Sequence, residues 1–251
     1  ILDSHKCDIS SNIIGFTGDE YRVLGNSLHG IVLDNSTGNR LDDNRIVGSD
    51  RDGIYCCSNS GSNVIRNNEV MWNGIHGIEL DGASGQLIYN NYFNNTYNAY
   101  DPNTVDANAN RWNTSKTTGT NLHGGPYLGG NWWVDYDESS EGCTDTNHDG
   151  FCDNPYTISG TPANEDKLPL TTYVPNTAPN VSSIDLTPDT AYTTDTLNCT
   201  FIVTDVNSGD SLSVNISWYK GGALNLTFNP DFFNALQKAS ILSLPDIKYS
   251  S

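Results

Sequence analysis

Three segments, Gly30-Ile31-Val32-Leu33-Asp34, Gly53-Ile54-Tyr55-Cys56-Cys57 and Gly77-Ile78-Glu79-Leu80-Asp81, align without gaps at spacings of 23 and 24 residues. Each is followed by a second aligned piece: Leu41-Asp42-Asp43-Asn44-Arg45-Ile46, Ile65-Arg66-Asn67-Asn68-Glu69-Val70 and Ile88-Tyr89-Asn90-Asn91-Tyr92-Phe93, spaced by 24 and 23. Two earlier pieces, starting at Ile9 and Val23, share the apolar-x-x-Asn-x-apolar pattern. Self-similarity at a fixed period marks a solenoid. Alternation within Gly-Ile-x-Leu has period two, so Ile31, Ile54 and Ile78 face the same way as Leu33, Cys56 and Leu80, and Val32, Tyr55 and Glu79 face the other way. The linkers are rich in Ser, Gly and Asn and carry no helical stripe, which separates this repeat from leucine-rich repeats. The pattern predicts an all-β parallel β-helix with coils stacked about 4.8 Å apart. Asn44, Asn68 and Asn91 then form an internal ladder in which each amide bonds its neighbours above and below.

Composition agrees. Asparagine occurs 32 times and glycine 23 times among 251 residues, poor material for helices. Twelve basic against 30 acidic residues give a net charge of -18, which excludes a general nucleic-acid or anionic-membrane binder. No run of about 18 apolar residues is present, so no membrane insertion of this chain is expected. The chain opens on Ile1 and reads as a processed or excised piece. Seven Asn-X-Ser/Thr acceptors, at Asn35, Asn94, Asn113, Asn180, Asn198, Asn215 and Asn225, together with scarce lysine, favour an extracellular, cell-surface setting.

The repeats resemble the right-handed parallel β-helix repeat family. The stretch from Gly124-Gly125-Pro126-Tyr127 through Asn131-Trp132-Trp133-Val134-Asp135-Tyr136, then Pro155-Tyr156-Thr157-Ile158 and Asp166-Lys167-Leu168-Pro169-Leu170, is similar to the terminal region of NosD-type surface proteins, abundant in archaea. The resemblance covers about residues 1–170 and implies the fold and an extracytoplasmic home. The NosD label also carries an association with copper. Copper(I) favours thiolates and thioethers; with Met71 as the one methionine and no Met or His cluster in the sequence, copper is discounted here.

Asp145-x-Asn147-x-Asp149-Gly150-x-x-Asp153 is the sharpest chemical motif. Oxygens at alternate positions, joined by the Phe151 carbonyl, are of the kind that converge on structural calcium. Seven acidic residues and no basic one lie between Asn131 and Asp153. Cys143 and Cys152 bracket the loop; a disulfide would staple it, and the alternatives are free thiols or a soft-metal site with His148. His29, Asp52 and His76 each precede a repeat glycine and so stack on successive coils; such a line binds metal, moves protons or simply lies at polar turns. Acid–base candidates for polysaccharide cleavage, such as Asp42, Asp43, Asp50, Arg40, Arg45 and Arg66, are scattered, so no enzyme is expected. Trp132, Trp133 and Tyr136 are candidates for stacking on sugars.

After Leu170 the composition shifts. Residues 171–179 read as a linker, and residues 180–251 as a partial Ig-like β-sandwich with Cys199 on its second strand and Trp218 on its third. A half sandwich and an uncapped first coil suggest self-assembly or a neighbouring surface protein as partner, with glycans as a further one. The function expected is a non-enzymatic structural component of an envelope, sheath, filament or adhesin; the alternative is a carbohydrate-binding or polysaccharide-processing β-helix protein.

Overall fold

The computed structural model describes residues 1–17, 22–103, 109–160, 164–190, 192, 195, 197–207, 211–212, 216–220, 223–228, 233–234 and 240–243. The chain divides into two units, Ile1–Val174 and Pro175–Ser251. The first unit is a parallel β-helix of three sheets. One sheet stacks Asp8–Ser10, Arg40–Asp42, Val64–Arg66 and Leu87–Tyr89. The second stacks Ile13–Ile14, Arg45–Val47, Glu69–Met71, Tyr92–Asn94 and Trp132–Trp133. The third stacks Ile31–Leu33, Ile54–Cys56, His76–Leu80, Tyr97–Asp101 and Ser159–Gly160.

Register follows the sequence repeat. Ile31 pairs with Ile54 and Ile54 with Ile78, Leu41 with Ile65 and Ile65 with Ile88, Ile46 with Val70 and Val70 with Phe93. These residues form the buried core. Each such side chain contributes about 1.5–3 kcal/mol on leaving water. The column from Phe93 ends in a stack of aromatic rings: Trp133 lies 4.8 Å from Phe93 and Tyr156 4.3 Å from Trp133. Flat rings close the core where no further coil supplies an aliphatic layer.

The asparagine ladder is longer than the three predicted members. Asn12 Nδ2 donates to Asn44 Oδ1, Asn44 to Asn68, Asn68 to Asn91 and Asn91 to Asn131, at 2.8–2.9 Å. Asn131 Nδ2 ends the series on Asp166 Oδ2 at 3.2 Å. The outer members escape the 23–24 residue period because insertions lengthen the first and last steps: Ile9 pairs with Leu41, and Phe93 with Trp133. The piece starting at Val23 is one such insertion and not a coil strand. It folds back so that Leu24 and Gly25 N–H groups donate to the Gly15 carbonyl, leaving Leu24 and Leu28 exposed. A second polar column, Asn39–Asn63–Gln86–Asn110, runs through backbone N–H to side-chain bonds of 2.8–3.3 Å.

The second unit is antiparallel among its described residues. Asn180–Thr187 pairs with Asn198–Thr204, which pairs with Ser240–Ser243, and Ile216–Lys220 forms a hairpin with Ala223–Phe228. Cys199 and Trp218 lie on strands. No helix among the described residues is long and apolar enough to cross a membrane.

Candidate metal centre

The repeat glycines create the third-sheet corner. A Cβ at Gly53 would overlap Val70 Cγ1 and Asn73 Nδ2, and one at Gly30 would overlap Ile46 Cγ2, so only glycine lets this turn close on the second sheet. The residue before each glycine is thereby brought to the same place on successive coils. Gly30 N–H donates to the Asp52 carbonyl and Gly53 N–H to the His76 carbonyl, both at 3.0 Å.

His29, Asp52 and His76 therefore stack, and Glu79 joins them from the outward face of its strand. Asp52 is fully buried. Its Oδ1 accepts the His76 backbone N–H at 3.0 Å and lies 2.9 Å from His76 Nδ1. Its Oδ2 lies 2.9 Å from His29 Nδ1, on a side chain only 10% exposed. That approach is too poorly aligned for a hydrogen bond, and both atoms are buried without one. His76 Nδ1 is 3.4 Å from Glu79 Oε2. Burial, then the charge of nearby Asp52, pushes the Glu79 carboxyl above its usual range. Aromatic rings brace both imidazoles: Tyr55 stacks on His29 at 4.5 Å and Tyr100 on His76 at 5.2 Å. Asp52, His76 and Glu79 offer ligand atoms within 4.8 Å of one another, the one such trio among the described residues.

The Asp145–Asp153 loop is built differently. Its side-chain oxygens are turned on its own chain. Asp145 accepts N–H from Asp149 and Gly150 at 3.0 and 2.9 Å, Asn147 accepts from Asp149 at 3.0 Å, and Asp149 accepts from Phe151 at 3.0 Å. Asp153 Oδ2 accepts from the Thr144 hydroxyl and the Thr146 N–H at 2.9 and 3.2 Å. A cation from another part of the chain is already present, since Lys116 Nζ lies 2.7 Å from Asp149 Oδ2. Cys143 and Cys152 are joined by a disulfide across this loop.

The tryptophans are not a sugar platform. Trp133 is fully buried and its Nε1 donates to Asp166 at 3.0 Å; Trp132 is 7% exposed and donates to Asp137 at 2.7 Å. Tyr136 is half-buried, its hydroxyl donating to the Gly142 carbonyl at 3.1 Å. These aromatics close the β-helix because their large apolar faces are spent on the core. Of the sequon asparagines, Asn35 and Asn180 are exposed and Asn94, Asn113 and Asn198 half-buried; Asn215 and the side chain of Asn225 lie outside the described residues.

A β-helix solenoid carrying a histidine–carboxylate corner is the class that fold and site define. Residues 2–138 match the family described as periplasmic copper-binding protein (NosD). That is more than half of the chain, and the chain belongs to this family. The search of curated proteins found no match, and neither did the search of solved structures.

The family finding overturns calcium as the expected cofactor. The metal in its description is copper, and the loop assigned to calcium spends its oxygens on its own amides and on Lys116. The copper fit divides by oxidation state. Sulfur donors are not brought together among the described residues: Met71 and Cys56 are core residues, Cys7 is exposed and Cys199 half-buried, and none of these cysteines joins a trio spaced for an ion. Burial, with Asp34 beside it, pushes the Cys57 thiol up to about 11. Imidazole and carboxylate donors suit copper(II), and these meet at Asp52. The sequence carries this signal as the His-Gly, Asp-Gly, His-Gly series; Glu79 joins it only through the strand's outward face.

Proposed function

We propose that the protein is a non-catalytic component of the cell envelope, displayed at the cell surface as a rigid spacer. The observation that supports this reading most is the interior: polar columns run coil after coil with their groups bonded to one another, a construction for stiffness. The residues with acid–base potential are committed to pairing across coils. Arg66 lies 3.1 Å from Asp42, Arg45 3.2 Å from Glu69 and Arg40 2.5 Å from Asp8, each on a neighbouring coil. The second unit is read as an Ig-like module, and self-association with copies or neighbouring surface proteins belongs to the same reading. Immunogold labelling of intact cells tests the location, light scattering the association, and incubation with neutral and acidic polysaccharides the absence of catalysis. Labelling confined to the cell interior, or turnover of any polysaccharide, would overturn the reading.

A second reading, glycan binding, is favoured by a shallow groove of about 540 Å³ lined by Asp42, Asp43, Asn67, Glu69, Asn90 and Asn121. A glycan array hit that Asn90→Ala weakens would select it.

A further inference from the structure

We infer that Arg111, Thr114, Ser115, Glu165 and Lys167 form a binding site for one sugar acid, a monosaccharide that carries a carboxylate, at the far end of the first sheet of the β-helix. The fold brings these residues together from two layers. Arg111 N–H donates to the Gln86 carbonyl, and the Arg111 carbonyl accepts from Ile88 N–H, both at 2.8 Å, so Arg111 continues the first sheet beyond Leu87–Tyr89. Residues 164–167 form the layer above, tied down by Lys167 N–H donating to Asn113 Oδ1 at 3.2 Å. Alternation along each segment then sorts the side chains. Trp112 and Asp166 are buried, so their neighbours Arg111, Glu165 and Lys167 face outward. Between the two layers lies a pocket of about 360 Å³, lined by these three residues together with Thr114 and Ser115. That volume suits one small ligand.

Charge selects the ligand. Arg40, Arg45, Arg66 and Lys116 each meet a carboxylate. Arg111 and Lys167, both exposed, meet none among the described residues, although acidic residues outnumber basic ones by 30 to 12. Two cations on one small pocket repel each other, and an anion between them removes the repulsion. A carboxylate matches the planar guanidinium fork through two parallel bonds, and the ammonium adds a third. The remaining polar groups separate a sugar acid from a bare ion. The Asn113 and Asn164 amides are engaged within the chain, donating to the Thr114 carbonyl at 2.9 Å and the Asp101 carbonyl at 3.3 Å. The Thr114 and Ser115 hydroxyls and the Glu165 carboxylate make no hydrogen bond among the described residues. They are left to donate to and accept from ring hydroxyls. Glu165 also repels a second negative charge on the ligand, which disfavours phosphate and sulfate. The site shares no residue with the groove at Asp42 and Asp43 and does not depend on the envelope reading; each stands if the others fail.

The test titrates the full chain with D-galacturonate by calorimetry at low ionic strength, with D-galactose and acetate alongside. The expected result is one equivalent of galacturonate bound, with galactose and acetate weaker by about tenfold or more. Arg111→Gln and Lys167→Gln should each weaken galacturonate by about fivefold or more, with circular dichroism and melting temperature as in wild type. Arg51→Gln, which removes an exposed cation elsewhere, should leave binding unchanged. Glu165→Gln should weaken galacturonate yet strengthen acetate, since a charged hydroxyl acceptor and a repelling charge leave together. The galacturonate trisaccharide should bind within about threefold of the monosaccharide, because the pocket takes one ring. No heat at millimolar galacturonate, galactose or acetate bound as tightly as galacturonate, or undiminished binding in the Arg111→Gln, Lys167→Gln double variant would overturn the site. A gain of more than about tenfold for the trisaccharide would overturn the one-ring pocket in favour of a chain-binding surface.

Discussion

Two polar columns run along the same solenoid on nearly the same period, and they are built to opposite effect. In the ladder that starts at Asn12, every amide from Asn44 to Asn131 both donates and accepts, so the column is self-complementary. It can be repeated without limit and leaves no net charge in the core. In the His29–Asp52–His76 column a carboxylate lies between two imidazoles. Its Oδ1 is paired with His76, while its Oδ2 and His29 Nδ1, 2.9 Å apart, are buried without a hydrogen bond.

Exchanging the two chemistries tests that contrast. Asn68→Asp removes the Nδ2 donor to the Leu41 and Arg66 carbonyls and to Asn91, and buries a charge. It should destabilise the β-helix by about 3–5 kcal/mol in urea unfolding; a loss below about 1 kcal/mol would show that the ladder is not what holds the coils together. Replacing both Cys143 and Cys152 by serine should lower stability by about 2–3 kcal/mol, because a short loop gains freedom in the unfolded chain. A similar loss in the reduced wild type would confirm the cause, and an unchanged melting temperature would remove the staple from the account.

Asp166 ends the ladder and combines both chemistries. Burial raises its carboxyl to about 7, outweighing bonds from Asn131 N and Nδ2, Trp133 Nε1 and Leu168 N. The folded value exceeds the unfolded one, near 4. Its contribution is therefore fully present below about pH 4 and is lost as pH rises through about 7. Thermal melts of wild type should fall more steeply between pH 5 and 8 than those of Asp166→Asn; parallel slopes would sink this. The smallest effect belongs to the open column. Asp52→Asn, measured without metal, should change stability by less than about 1 kcal/mol, since the buried charge removed offsets the pairing lost. A loss matching that of Asn68→Asp would erase the difference between the columns.

The coils between Ile31 and Phe93 were legible because apolar residues alternate and the period holds. Asn44, Asn68 and Asn91 were found for the same reason. Asn12 was visible as part of the pattern starting at Ile9 but not as a ladder member, and Asn131 was not visible, since insertions shift them by 32 and 40 residues from their partners. The second column was available in the spacing of Asn39, Asn63 and Gln86, but Gln86 breaks the residue identity. The Asp145 loop misled for a different reason. Spacing places oxygens near one another but does not say whether they meet an ion or their own amides.

The sequence by itself determined the architecture: a two-residue alternation within a coil of 23–24 residues can bury its apolar side only by stacking. It also determined which residues recur at the corner before each glycine. Only the tertiary structure decided what those residues do. Insertions of unequal length, the outward face that brings in Glu79, and the reach of Lys116 to Asp149 join positions that no period relates. Whether a carboxylate is satisfied by amides or paired with a charged side chain depends on partners that arrive from other coils.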